Sequence, residues 1–384
     1  MTDGPGSAPV APARLRVRRR WPWSPSLGTG QTWTVHATVD EPTELLCAFV
    51  AHYKALGATQ IWLALDRPRA EQIAILGSVP GVRLTLCTRG YWLRHRGYRP
   101  ALHVSRQYVN ATHAYRQAKT DWFLECDADE FLLPSRPMNE VLGATPAKVP
   151  FLRLPMAERV FEQESPPITI FDGRFRTPLR NRPRLLRHIY GDLVSMVPAG
   201  MTGHSVGKSI TRTGLSAWIW LHTPIPPFTK PSRPEVQAMV KAAGFTDSAR
   251  LLHFDGMTPF HWRLKLMRKL LVGRSGVSNA LRHNTRKRGE GREKQIAAVF
   301  EARMNARAMD RLDALQMLSP EALARLHDAG TILPDGPDLI GQATALFPDV
   351  PLDFSASHFD AQLAILYADS IATLGLSPGP SAPA

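Results

Sequence analysis

Cysteine is scarce in this chain: three among 384 residues (Cys47, Cys87 and Cys126), far apart in sequence. That spacing argues against a disulfide framework and a cysteine-built zinc site, and predicts the reduced, buried thiols of a cytoplasmic protein. No apolar run approaches the roughly 18–20 residues needed to cross a bilayer. The N-terminus is basic but no apolar segment follows it, so a secretory signal is not expected. P-loop and kinase-type glycine-rich signatures are absent, as are helix-turn-helix, RNP and zinc-finger patterns, so no specific nucleic-acid partner is expected. Acids are in deficit: 33 Asp and Glu stand against 47 Lys and Arg, a net charge of +14. The cations concentrate at Arg14 to Arg20, Arg174 to Arg187 and Arg263 to Lys294. Such patches attract phosphates, anionic lipid or acidic polymers, or else form solvated faces.

What is present is a globular composition, 44% hydrophobic and 21% charged, on a chain long enough for one large or two modest domains. Residues 1–30, rich in Pro, Gly, Ser, Ala and Arg, read as a disordered basic arm, and 377–384 as a disordered tail. Between them the first half alternates strand and helix. Strands are expected over 34–39, 60–65, 82–87 and 122–126, and helices over 41–56, 68–76 and 104–118. That alternation predicts a mostly parallel sheet covered on both faces. Residues 149–221 read as short β-like pieces in a mixed or acceptor-side segment. Beyond Arg263 the chain turns helical. Ser319-Pro320-Glu321 opens one helix that Gly330 closes, and another is expected over 359–374.

The strand at 122–126 runs into Asp127-Ala128-Asp129-Glu130, the one place where two aspartates stand two residues apart. In extended backbone residues i and i+2 project to the same side, so Asp127 and Asp129 could share a hard cation. Oxygen-only ligation suits Mg²⁺ or Mn²⁺, which bind one or two carboxylates and complete their shell with substrate phosphates. A surface turn would carry the same residues without that role.

These pieces, in this order, resemble the family-2-like glycosyltransferases of the GT-A fold, in particular the bacterial group related to family 92. The likeness covers about residues 33–270 and is densest over 38–133. It rests on Asp40-Glu41 followed by His52 and Ala55-Leu56-Gly57, and on a strand ending in Asp66. Gln107 and Asn110 on one helix come next, then Trp122 to Phe131 as Trp-x-x-x-x-Asp-x-Asp-Glu-Phe. Lys208-Ser-Ile-Thr-Arg212 follows, then His222, His253-Phe254 and a helix from Trp262 to Leu271. Asp40 stands where that group usually has Asn, and Glu125 interrupts a strand that is usually apolar.

The resemblance implies a GT-A-like domain over 31–272 with a helical C-terminal region over 273–376. It implies a sugar moved from a nucleotide-diphosphate donor to a glycan or lipid-linked acceptor, in surface glycan or polysaccharide synthesis. Asp127 and Asp129 would hold Mn²⁺ or Mg²⁺, with His222 or His253 as a further ligand or phosphate contact. Asp40, Glu41 and Asp66 would line the nucleoside, while Lys208 and Arg212 would meet diphosphate oxygens. For the general base Asp255 comes first and Glu164 second; Glu162 and Asp172 are also possible, and Glu130 could instead orient the metal ligands. The basic arm and the helix at 263–272 could rest on the anionic inner face of a membrane. The competing reading is a non-catalytic basic protein that binds nucleic acid or acidic polysaccharide.

Overall fold

The computed structural model describes residues 31–165, 167–226, 233–271 and 291–376. The expected arm and tail, and residues 272–290 of the basic stretch Arg263 to Lys294, lie outside the described residues. The first 100 described residues form the expected alternation: β1 (Trp33–Val39), α1 (Thr43–Ala55), β2 (Gln60–Leu65), α2 (Ala70–Gly77), β3 (Val82–Leu86), α3 (Arg89–Arg96), α4 (His103–Gln117) and β4 (Trp122–Glu125). Every side chain of β1 and β4 is buried, as expected for strands covered on both faces. The short helix α3 has no counterpart among the sequence expectations; Thr88 caps it and Gly97, at φ +76°, ends it.

The chain then adds β5 (Glu130–Pro134), α5 (Met138–Gly143), β6 (Phe151–Leu154), β7 (Met156–Glu162), β8 (Arg174–Arg176), α6 (Pro183–Tyr190), β9 (Lys208–Arg212), a hairpin of β10 (Trp218–Ile219) and β11 (Pro224–Ile225), α7 (Arg233–Lys241), β12 (Gly244–Phe245), β13 (Ala249–His253) and α8 (Pro259–Leu271). The main sheet has the order β12-β6-β9-β4-β1-β2-β3. Its β3-β2-β1-β4 half is parallel, while β9 runs antiparallel to both β4 and β6. The fold is therefore mixed α/β with a mostly parallel sheet flanked by helices.

A second sheet holds β7, β13 and β5 side by side, with a short strand Met317–Leu318 beyond β7 and β8 paired to it as well. Of this sheet the sequence expectations reached only β7 and β8, which fall among the short β-like pieces read over 149–221. Its strands carry charged residues inside a buried interior, where an apolar-pattern search finds nothing.

After residue 291 come helices Arg292–Ala302, Ala306–Asp313, Pro320–Asp328, Leu339–Leu346, Ala356–Leu366 and Ala368–Leu374. The expected single helix over 359–374 is two, interrupted at Tyr367. Ser319 accepts a hydrogen bond from Ala322 N at the start of its helix, and Gly330 follows that helix at φ +66°. The C-terminal helices share one hydrophobic cluster with the α/β core: Leu339 and Ala343 are buried with Leu45 and Phe49, and Phe359 with Leu264.

Candidate active site

The main sheet fixes where a ligand can sit. From β1 the chain moves outward to β2 and then β3, and it returns to the other flank of β1 as β4. Neighbouring parallel strands whose connections leave in opposite directions open a crevice at their carboxyl ends, the usual ligand site of such sheets. Three acids follow these ends directly: Asp40 after β1, Asp66 after β2 and Asp127 after β4.

Asp127 and Asp129 do not stand on one face of a strand, as extended geometry would have placed them. β4 ends at Glu125, and residues 127–130 close a turn in which Glu130 N donates to Asp127 O at 3.0 Å. The turn separates the carboxylates. Asp127 keeps about a third of its side chain exposed and receives the Lys208 ammonium at 2.9 Å and the Gln107 amide. Asp129 is buried and receives the Lys265 ammonium at 2.5 Å. Burial alone would raise the Asp127 carboxyl, but Lys208 outweighs it and holds Asp127 well below the usual carboxylate range.

Lys208 is itself buried on β9, because β9 runs antiparallel to β4 and delivers its first residue to the carboxyl end of that strand. Its ammonium also lies 3.1 Å from Glu130 Oε2, which accepts from Asp127 N at 2.8 Å. Glu130 thus holds both the turn and the lysine. Its own carboxyl is pushed up to about 7, chiefly by burial and then by the Asp127 charge, against the pull of Lys208. Its Oε1 is buried without a hydrogen-bond partner.

Strand register then builds a row of charge. His253 on β13 pairs with Glu130 on β5 and with Glu158 on β7, and Glu158 pairs with Arg176 on β8. Directly paired residues share a face, so one line across the second sheet reads Glu130, His253, Glu158, Arg176. Glu158 accepts from Arg176 at 3.1 Å, from Thr202 N at 2.6 Å and from Gly203 N at 2.6 Å. Residue 203 must be Gly for this approach: a Cβ there would lie 2.8 Å from both Glu158 Oε2 and the His253 ring. Burial would lower the His253 imidazole, but Glu158 and then Asp129, Asp255 and Glu130 raise it to about 9.

The other expected site residues divide between this centre and elsewhere. Asp255 sits in the centre with its carboxylate fully buried, bound by Arg292 at 2.8 Å and Thr202 at 2.8 Å, with Lys265 at 3.6 Å. Burial would raise it, but Arg292 and Lys265 hold it far below the ordinary carboxylate range. It has no exposed oxygen to offer an acceptor hydroxyl. Glu164 is exposed in the turn after β7, six residues beyond Glu158, or about 20 Å along an extended chain; Glu162 ends that strand and Asp172 caps a local turn at Thr169. Arg212 is at the wrong end of the sheet for a diphosphate. It pairs with Trp122 at the amino end of β4, its guanidinium over the Trp122 ring and donating to the Thr145 and Val149 carbonyls.

Asp66 is gripped by Arg106 and Arg99, each at 2.9 Å. Asp40 accepts from both Arg67 and Tyr367, and Arg67 and Arg268 lie against the Tyr367 ring. Glu41 accepts from Asp40 N at 2.6 Å, and burial pushes its carboxyl up to about 7. Glu125, the unexpected acid in β4, is explained by His36 on β1, to which it is hydrogen-bonded in the register pair. His52 is structural, donating to the Leu132 carbonyl at 2.7 Å. Helix α8 turns three of its four cations toward acids of the fold, Arg263 to Asp313, Lys265 to Asp129 and Arg268 near Asp40, and leaves Lys269 exposed.

Lys265, Arg292, Glu158, Arg176 and Thr202 were not found by sequence reasoning. Their charged partners are 10 to 136 residues away, so no local pattern announces them. Gln107 had a signal, its place in the motif string with Asn110.

The donor chemistry admits a cation only in part. Asp127 offers an ionised, partly exposed carboxylate. His222 is held neutral, lowered to about 4 by burial and Lys208, and its Nδ1 lies 3.0 Å from the Gly207 carbonyl, a bond that would leave Nε2 as an acceptor. Asp129 is engaged by Lys265, and a protonated His253 has no lone pair to give. Among the described residues no three His, Cys, Asp or Glu side chains converge to hold a metal ion. The fit is to an ion bound by one or two protein donors and completed by substrate phosphates.

No family model matches the chain, and no curated protein matches it in sequence. Among solved structures it is similar to residues 1–349 of TarS from S. aureus, at 13% identity over 90% of this chain and 89% of that one, with a TM-score of 0.28. A score that low carries no functional argument, and the fold stands on the strand order above. Among the described residues no helix is long and apolar enough to cross a membrane.

Proposed function

We propose that the chain is a glycosyltransferase that uses a nucleotide-diphosphate sugar. The observation that carries this reading is the pairing of Asp127, ionised and partly exposed, with the buried Lys208 ammonium at the switch-point crevice. A diphosphate leaving group requires fixed positive charge that costs no reorganisation as the bond breaks. Lys208 and Lys265 are such charges, each set by two carboxylates. Asp127, with His222, would hold Mg²⁺ or Mn²⁺, whose chemistry there is Lewis-acid stabilisation of the diphosphate. Gln107 fixes the Asp127 carboxylate, and Glu130 fixes the turn that carries it. Asp40, Glu41 and Asp66 line the base and ribose side of the crevice in this reading, with Tyr367 covering Asp40. Asp255 acts as an anchor for Arg292 and Lys265.

The test is binding of UDP-, GDP- and dTDP-sugars followed by thermal shift and calorimetry, with and without Mn²⁺. A ligand that binds only the folded chain raises its apparent stability. At least one nucleotide sugar should stabilise the protein in a Mn²⁺-dependent way, and Asp127→Asn should remove the effect. No stabilisation by any of them sinks the proposal. A protein that only binds polyanions would keep that binding in Asp127→Asn.

A further inference from the structure

The fold pairs three of the four cations of α8 with acids, and a different surface beside the crevice carries a cluster of arginines unpaired among the described residues. Residues 72–120 contain eight Lys and Arg and no Asp or Glu. Arg99 and Arg106 hold Asp66, and Arg83 lies over the Trp62 ring. Arg89, Arg94 and Arg96 on α3 are exposed, with no ion-pair partner among the described residues.

Apolar side chains stand among these cations. Leu93 is 52% exposed, Tyr98 60%, Leu102 55% and Val104 41%, all within twelve residues around the α3–α4 connection. One turn beyond Val104 on α4, Tyr108 packs against Trp218 and the 44%-exposed Trp220, with ring centroids 5.7 and 5.1 Å away. The patch borders the crevice, because Arg99 and Arg106 connect it to Asp66 at the end of β2.

We propose that α3, the α3–α4 connection and the outer face of α4 dock on an anionic lipid bilayer. Arginines near such a surface gain from the headgroup charge, and Leu, Val, Tyr and Trp gain from entering the headgroup boundary. A water-dissolved polyanion would reward the arginines but leave Leu93, Leu102 and Val104 in water. The inference deepens the proposed function: docking here turns the crevice toward a lipid-borne acceptor.

The test is flotation of the full chain with vesicles of phosphatidylcholine containing about one-third phosphatidylglycerol, against pure phosphatidylcholine, near physiological salt. The wild type floats with the anionic vesicles and stays behind with the neutral ones. Two variants, Arg89→Ser/Arg94→Ser/Arg96→Ser and Leu93→Ser/Leu102→Ser/Val104→Ser, each lower the anionic-vesicle partition coefficient by roughly a hundred-fold. Their unfolding midpoints and solution binding of nucleotide sugars match wild type, which separates lost docking from misfolding. Flotation does not depend on donor binding, so the surface and the activity can fail independently. The proposal is overturned if the wild type fails to float or floats equally with neutral lipid. It is also overturned if either variant floats like wild type, placing the contact elsewhere or identifying a polyanion site without apolar insertion.

Discussion

Glu130→Gln isolates the centre of the site through pH. The wild-type carboxyl is displaced from the ordinary glutamate value of 4.5 to about 7, with burial the first cause. Between those values the folded chain holds a proton that the unfolded chain has released. Stability is therefore fully present below pH 4.5 and falls as pH rises through 7, by up to roughly 3 kcal/mol. Glutamine keeps an oxygen for Asp127 N and Lys208 but has no proton to lose, so that fall disappears. Glu41, also near 7, titrates alike in both proteins and cancels in the difference. The depressed carboxyls of Asp127 and Asp255 act in the opposite sense, their stability being lost only as pH falls below about 4, outside the window. Urea unfolding followed by tryptophan fluorescence at pH 5, 6, 7 and 8 measures the effect. Stability of the variant relative to wild type should climb by up to about 3 kcal/mol across the series. Parallel pH profiles, equal within about 0.5 kcal/mol, would refute the picture of a strained buried carboxyl.

Other perturbations separate chemistry from scaffolding. Asp127→Asn should lower transfer by about 10²-fold or more; it also leaves the buried Lys208 ammonium to Glu130 alone, so some stability is lost with it, and unfolding melts and product assays compare the two. Asp255→Asn leaves Arg292 without its carboxylate, while Lys265 keeps Asp129, and should cost about 3–5 kcal/mol of stability. Lost turnover at unchanged stability would instead make Asp255 a direct participant in catalysis. Gly207→Ala, at φ +79° with the Leu154 carbonyl oxygen in the way of a Cβ, should misplace Lys208. Nucleotide-sugar titration should then show weakened binding, and unchanged affinity would break the link between this turn and Lys208.

The parallel half of the fold was legible because β2 is apolar beyond Gln60, β1 has one apolar face in Trp33, Val35, Ala37 and Val39, β4 opens with Trp122, Phe123 and Leu124, and α1 carries its apolar stripe up to Gly57. The second sheet was not, because Glu130, His253, Glu158 and Arg176 occupy buried strand positions that only cross-strand pairing makes tolerable. Their partners lie in other strands, so in one dimension they look like loop charges. Arg212 misled for a related reason. Four residues from Lys208 along β9 means about 13 Å of extended chain, enough to carry it to the far end of β4. Asp127-Ala128-Asp129 read as an extended pair and stands in a turn, since a turn and a strand can share the same three residues.

That turn assigns the two aspartates different work. Asp129 faces inward, where Lys265 ties it to Asp255 and so to Arg292 on the C-terminal helices. Removing it would take from Lys265 its nearer carboxylate and leave it Asp255 at 3.6 Å, a structural loss. Asp127 faces the crevice and shares Lys208 with Glu130, so its charge is fixed in place yet reachable by a ligand. An aspartate pair sharing one cation would predict similar losses for both Asn variants. The separated pair predicts that Asp129→Asn lowers the unfolding midpoint before it lowers nucleotide-sugar affinity, while Asp127→Asn does the reverse. Measured side by side, equal effects on both quantities would restore the shared-cation geometry, and opposite effects would establish the turn as the device that divides them.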